Sequence, residues 1–285
     1  MAKSIDTLVE DIYGLFTNEE EITIKEEDLE AFAEAVVSSV ASAISEVRKP
    51  REPSLRLSLI GHKDRKIWYE MNGAEKTALS APTLIKFLYG DILEQLLILF
   101  CKVAGHEVKE EQVELSSNGV RGHKDATVDG VLVDFKSASS YSFKKFKERT
   151  ILSDDPFGYI AQISAYSDAD NNPNVGFIAI DKVSGEICFC PIDEMELINS
   201  GNRINDIRDF LKSDKPPERC YDPIPDGSSG NLKLHIGCHF CDYKYTCWSD
   251  ANEGKGIRTF QYSNGPKNLV KVAKVPNVPE VTNAA

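Results

Sequence analysis

Asp125, Asp134 and Lys136 have the types and the spacing to act on a phosphate ester. They fall within residues 120–137, VRGHKDATVDGVLVDFKS. Two β-branched, apolar-rich runs flank Asp129-Gly130. Asp-Gly between such runs predicts a hairpin with a type I′ turn, because both central residues need positive φ. With that turn at the centre, Val128 faces Val131, Thr127 faces Leu132, and Ala126 faces Val133. Asp125 then faces Asp134 across the ladder. Period-two alternation puts Lys136 on the face of Asp134 and His123 on that of Asp125, while Val131, Val133 and Phe135 make the core face. Carboxylates set directly opposite each other repel. A hard divalent cation between them removes that repulsion, since magnesium takes one or two carboxylates plus waters and phosphate oxygens. A lysine two residues on sits beside the water or the charge developing on a phosphate. A solvent-facing strand pair with scattered charges is the plain alternative for the hairpin alone.

Other elements must bring partners to this hairpin. Residues 82–104 predict a long helix, with Pro82 in its first turn and Gly105 just past its end. Its second half, ILEQLLILF, is apolar nearly all round and should be buried. Glu94 lies in its middle, and a carboxylate there must be paired, protonated or metal-bound. Gly90, one turn earlier, leaves room for something to approach. Residues 106–115 read as a strand. After the hairpin comes SASSYSFKKFKERT, where Phe143 and Phe146 anchor one helix face and Lys144, Lys145, Lys147 and Arg149 lie outside. Those cations, with the hydroxyls of Ser137 and Ser139, suit a DNA backbone; a solvated charged face is the simpler reading of any one lysine. Asp155-Pro156 predicts an N-cap with Pro at the first helical position. Gln162 and Tyr166, four apart, then share a face. Residues 175–181 and 186–191 predict a second hairpin that closes the sheet. Residues 4–17 and 27–49 read as amphipathic packing helices, the second closed by Pro50 and Pro53.

The chain has 285 residues, 41% hydrophobic and 27% charged, an ordinary globular composition. No apolar run reaches about 18 residues, so a membrane span is not expected. The acidic start MAKSIDTLVEDIYG is not a signal peptide. Seven cysteines without a secretory signal point to a reducing cytoplasm, where clustered Cys more often bind metal than form disulfides. A net charge of −12 argues at first against nucleic acid. However, residues 1–34 hold eleven Asp/Glu against Lys3 and Lys25, leaving −3 for the other 251 residues. Local patches decide DNA contact.

A helix with an acid after Gly (GDILE), a strand, G-H-K-D, a hairpin, D-F-K and a helix with Q-x-x-x-Y occur in that order. In this the chain resembles the PD-(D/E)xK nuclease superfamily, specifically the RecB-like exonuclease branch that includes CRISPR-adaptation and phage recombination nucleases. The resemblance runs from about Leu55 to Trp248. It implies an α/β, restriction-endonuclease-like fold with a central mixed sheet flanked by helices. It implies Asp125, Asp134, Glu94 and the Phe135 carbonyl as ligands of Mg2+ or Mn2+, with Lys136 as the catalytic lysine. Gln162 and Tyr166 would position the lysine side and the DNA, and His123 would stand outside the ligands. The metal would polarise the scissile phosphate and deliver a hydroxide for in-line attack.

Cys238, Cys241 and Cys247, as C-x2-C-x5-C, also match this branch, which joins them to an earlier cysteine to hold an iron–sulfur cluster. That cysteine normally precedes an R-x-x-x-Y run such as Arg65 to Tyr69. Here His62, Lys63 and Asp64 stand in its place, so Cys220 is the natural fourth ligand. Four local cysteines suit zinc as well as iron–sulfur. Cys101, Cys188 and Cys190 read as core thiols. The expected organisation is a helical region at 1–54, a nuclease core at 55–212, a four-cysteine segment packed on it at 213–265, and a tail at 266–285. The leading functional expectation is a metal-dependent DNA exonuclease, phage or mobile-element encoded, active in DNA degradation or recombination in the bacterial cytoplasm, alongside recombination or replication proteins. The alternatives are a non-catalytic DNA-binding or assembly subunit of the same fold, and a structure-specific endonuclease.

Overall fold

The computed structural model describes residues 3–19, 21–45 and 52–281. Val47 and Pro50, the expected end of the second helix, lie outside them. In chain order the principal elements begin with α1 (Leu8–Thr17), α2 (Glu26–Ser45), α3 (Asp64–Met71) and α4 (Ala81–Val103). Then come β1 (Val108–Lys109), β2 (Glu114–Ser117), β3 (Val120–His123), β4 (Ala126–Val128), β5 (Val131–Ala138), α5 (Ser140–Lys147) and α6 (Tyr159–Asp170). They are followed by β6 (Val175–Asp181), β7 (Ile187–Ile192), α7 (Ser200–Phe210), β8 (Ile224–Pro225), β9 (Leu232–Lys233), β10 (Arg258–Tyr262), β11 (Gly265–Lys271) and β12 (Glu280–Val281). Among the described residues no helix is long and apolar enough to cross a membrane.

Two compact units divide the chain. The first comprises Met1–Arg51, Leu55–Gly61 and Ser80–Asn205. Its sheet runs β1-β4-β5-β6-β7, with β5 and β6 parallel and the other pairs antiparallel, so the fold is mixed α/β with helices flanking a mixed sheet. The parallel step requires the long crossover that α5 and α6 supply. One sheet face is Ala126, Val128, Val133, Phe135, Ile178 and Ile180, which pack on Leu97, Ile98 and Cys101 of α4 and Leu8 and Ile12 of α1. On the other face Phe177 of β6 meets Phe146 at 5.4 Å and Tyr159 at 6.2 Å between ring centroids. Every residue of β6 is buried, as befits an interior strand in a parallel pair. Ser80 caps α4 by accepting from the Thr83 N–H, and Pro82 occupies its first turn. A Cβ at Gly90 would meet Ser137 Oγ at 3.4 Å, so β5 itself is what approaches α4 there.

Three expected features of this unit come out differently. Residues 106–115 are not one strand: positive φ at Glu110 and Gln112 divides them into β1, paired with β4, and β2, paired with β3. Asn118 and Gly119 both have positive φ and turn β2 back on β3. Residues 120–123 therefore pair with 114–117 and do not extend β4. The α6 helix starts at Tyr159, not after Asp155. Asp155 still serves its entrance: one carboxylate oxygen accepts from Gly158 N–H at 2.8 Å and the other from Ile160 N–H at 2.9 Å.

The second unit comprises Glu52–Ser54, His62–Leu79 and Asp206–Ala285. Residues 62–79 thus group with the cysteine-rich part of the chain and not with the 55–212 stretch expected as one core. This unit is built on an antiparallel sheet ordered β12-β10-β11-β9-β8. Leu234, Cys238, Trp248, Ala251, Ile257 and Val270 form its small core. Residues 266–281 are no tail. They supply β11 and β12, and buried Asn231 holds Lys274 by donating to its carbonyl at 2.8 Å and accepting from its N–H at 2.9 Å.

Candidate active site

The hairpin register at Asp129-Gly130 is the expected one. Val128 pairs with Val131, Thr127 with Leu132, and Ala126 with Val133, with φ of 48° at Asp129 and 83° at Gly130. The ladder stops there, one pair short of Asp125 and Asp134. In place of a backbone partner, the Asp125 carboxylate accepts the Phe135 N–H at 2.8 Å. A strand residue's N–H and C=O point the same way, so the Phe135 carbonyl faces the same side as Asp125. Asp134, on the opposite face of β5 from Phe135, is almost fully buried at 2% exposure. Its carboxylate forms an ion pair with Lys136, and Gln162 Nε2 donates to Oδ1 at 3.4 Å. The same Gln162 nitrogen lies 3.2 Å from Tyr166 Oη, so the two residues of Q-x-x-x-Y act as one hydrogen-bonded pair beside Asp134.

Glu94 reaches the same place from α4, where Gln112 Nε2 donates to it at 2.8 Å. Burial, then the charge of Asp134, pushes the Glu94 carboxyl up to about 7, against the pull of Lys136. Asp125 is held well above the ordinary carboxylate range, by burial first and then by Asp134 and Glu94. Burial opposes the Lys136 ammonium, but Asp134 and Asp125 outweigh it and hold the lysine above its usual range. Glu94, Asp125, Asp134 and Lys136 therefore feel one another directly: three carboxylates against one ammonium in a largely dehydrated place.

A divalent cation suits this place, because it would take over from the protons that burial and crowding hold on Glu94 and Asp125. As the side chains stand, Lys136 engages Asp134 and Gln112 engages Glu94. Among the described residues no group of three or more His, Cys, Asp or Glu side chains is arranged to hold a metal ion.

Metal-free protein should lose stability as pH rises from 4.5 through about 7, because folding holds a proton on Glu94 that the unfolded chain releases earlier. Glu94→Gln should flatten that slope, leaving the part due to Asp125, and make the variant more stable than the unaltered protein at pH 8, by on the order of 1–3 kcal/mol, and equal to it at pH 4. Denaturant melts in EDTA at both pH values check this; parallel curves for the two proteins would contradict it.

The expected DNA-facing cations are mostly engaged. Lys145 pairs with Asp154 at 2.6 Å, Lys147 with Glu186 at 2.8 Å, and Arg149 with Asp193 at 3.1 Å and Glu196 at 2.7 Å. Lys144 is exposed; Ser139 caps α5, and Ser137 faces Gly90. His123 is exposed, 4.0 Å from Glu114. Three participants escaped the sequence reading. Gln112 holds Glu94. Tyr159 lies with its ring centroid 4.7 Å from Lys136 Nζ. Lys124, fully buried, bonds Glu110, Thr127 and Asp170 (the last at 2.7 Å), and so ties the start of the hairpin to α6. Its only signal was a charge at the break between β3 and β4.

In the second unit the four cysteines lie within electrostatic reach of one another, but among the described residues they do not stand as a group that could hold a metal ion. Cys238 feels the charges of Cys247, Cys241 and Cys220, and burial pushes its thiol up to about 12. Burial pushes the Cys220 thiol up, and the backbone N–H groups of Lys66 and Arg65, in the first turn of α3, pull it back down. Arg65 donates from Nη2 to Tyr69 Oη at 3.2 Å and from Nη1 to the Pro217 carbonyl at 2.6 Å, and Cys247 helps hold its guanidinium above the usual range. Cys101 and Cys190 are fully buried and Cys188 nearly so, as core thiols.

No family profile and no curated protein matches the chain. Solved structures do. One, titled SSO0001, has 14% sequence identity and a TM-score of 0.42, and the match covers 75% of this chain and 94% of that one. Another is a phage-related exonuclease from Haemophilus somnus 129PT, with 14% identity and a TM-score of 0.38, covering 57% of this chain and 92% of that one.

Proposed function

We propose that this protein is a Mg2+- or Mn2+-dependent deoxyribonuclease of PD-(D/E)xK type, acting as an exonuclease. The observation that carries the reading is the convergence of Glu94, Asp125, Asp134 and Lys136, three mutually repelling carboxylates and one ammonium, at the end of a hairpin next to the Gln162–Tyr166 pair. Glu94, Asp125, Asp134 and the Phe135 carbonyl would hold the metal. When bound, such a cation polarises a phosphoryl oxygen and makes water a nucleophile near neutral pH. Lys136, whose ammonium Asp134 and Asp125 hold above its usual range in the metal-free site, would balance the charge that builds on the phosphate. Gln162 fixes Asp134, and Tyr166, whose hydroxyl burial pushes up to about 12, stays a neutral hydrogen-bonding group. DNA is the partner this reading requires, with Lys144 and the Ser139 hydroxyl as outlying backbone contacts. Cys220, Cys238, Cys241 and Cys247 would hold zinc or an iron–sulfur cluster.

The test is purified protein on end-labelled linear DNA and on closed circular DNA, with Mg2+ or Mn2+ and with EDTA. The expected result is cation-dependent shortening of the linear DNA and survival of the circle. Cleavage of the circle would replace the exonuclease with an endonuclease, and cleavage of neither would remove the nuclease reading.

A further inference from the structure

The loop that enters α6 presents an aromatic side chain to solvent next to Lys136. Phe157 is 52% exposed. Its ring is stacked on Tyr159, with centroids 5.4 Å apart and an interplanar angle of 28°. Tyr159 is stacked in turn on buried Phe146 at 6.0 Å and 30°. The three rings make a column that starts in the core and ends in solvent, and the Lys136 ammonium lies 4.7 Å from the centroid of the middle ring. The loop is braced from below: both oxygens of Asp155 bond backbone N–H groups on either side of Tyr159, and Gly158 sits directly against the Gly61 backbone. Phe157 is thus a phenyl ring kept outside the core on a fixed support. Packing alone would not require an aromatic residue there.

Phe157 and Lys136 both lie against the Tyr159 ring, 5.4 Å and 4.7 Å from its centroid, so a strand whose phosphate meets Lys136 carries its neighbouring base towards Phe157. A nucleobase offers its flat face to a protein ring only where no neighbouring base covers it, in a single strand or at a frayed end. Resting on the nuclease reading above, we propose that Phe157 is a positioning residue that stacks on an unpaired base beside the scissile phosphate. DNA with single-stranded ends is then the substrate class. The stack sets where the strand stops, and Lys136, already lodged over Tyr159, marks the phosphate next to it.

The test is binding of a short fluorescein-labelled deoxyadenosine oligomer to the full chain in EDTA, read by anisotropy, with a blunt hairpin duplex as comparison. Phe157→Ala should weaken binding of the single strand about 5- to 150-fold, the range typical of losing one base–aromatic stack. Phe157→Trp should restore it. Phe157→Leu, apolar but without a π face, should not. The duplex should respond to none of the three. Equal single-strand affinity of Phe157→Ala and the unaltered protein would overturn the proposal, as would full affinity in Phe157→Leu or no single-strand binding at all. Binding without metal separates this from the parent reading. A Phe157-dependent single-strand affinity with no cleavage on adding Mg2+ would sink the nuclease and keep the stack; cleavage with affinity indifferent to Phe157 would do the reverse.

Discussion

Asp134→Ala is expected to lower DNA cleavage by at least about 10³-fold, and Lys136→Ala by about 10²- to 10³-fold. Asp134 is the most central of the four groups: it is buried, it pairs with Lys136, Gln162 Nε2 lies 3.4 Å away, and its charge raises both Glu94 and Asp125. Removing it takes away a candidate ligand and frees Lys136 to settle on Asp125. The fold should survive, because one of three mutually repelling carboxylates is gone and the lysine keeps a partner. Asp134→Asn keeps the shape without the charge and should be nearly as inactive. Lys136→Ala leaves three uncompensated acids, so its loss of activity should come with tighter binding of divalent cation. Circular dichroism and denaturant melts establish that the variants are folded. Turnover on linear DNA gives the effect, and rates within threefold of the unaltered protein would dismiss these residues from the chemistry.

Gly61→Ala and Gly158→Ala should each destabilise the first unit by roughly 3–5 kcal/mol. A Cβ added at Gly61 would lie 2.0 Å from the Gly158 carbonyl oxygen, and one at Gly158 would lie 2.1 Å from the Gly61 carbonyl oxygen. Both obstacles are backbone, so no rotamer change relieves them. Gly158 also has φ of 78°, where a side chain adds strain of its own. Gly185→Ala separates the two causes. Its φ is 79° but nothing lies within 4 Å, so it should cost only about 1 kcal/mol. The double variant Gly61→Ala/Gly158→Ala should cost less than the two singles added, since both push the same two strands of chain apart. Denaturant melts of the four variants check this. A Gly61→Ala protein as stable as the parent would show that the chains do not touch there, and the support for the Phe157 loop would go with it.

Much of the site was legible because strong local rules spoke for it. Asp-Gly set one hairpin to the residue, and the all-apolar half of α4 marked Glu94 as a carboxylate that needs a partner, a proton or a metal, which Gln112 meets in part. What failed was competition between signals of the same kind. Asn118-Gly119 is as good a turn as Asp129-Gly130, and with it Val120–His123 leaves the second hairpin for the first. The Asp125–Asp134 pairing was thereby cut off from the ladder, and Asp125 turned its side chain into a substitute backbone acceptor. Asp155-Pro156 reads as a helix start by its residue types. Only the tertiary contact of Gly158 with Gly61 shows why the helix is delayed to Tyr159. Gln112, Tyr159 and the partners of Lys145, Lys147 and Arg149 are contacts between residues distant in sequence, which periodicity does not carry. The grouping of residues 62–79 with the cysteines is of the same sort: its one local sign was the Arg65–Tyr69 spacing.

The central claim is that Glu94, Asp125, Asp134 and Lys136 form a cation-dependent nuclease site. The most direct measurement is the time course of end-labelled linear DNA with the unaltered protein and with Asp134→Ala, side by side, in Mg2+ or Mn2+ and in EDTA. The account predicts shortening only with the unaltered protein and only with the cation. Equal shortening by both proteins, or shortening that persists in EDTA, would contradict it.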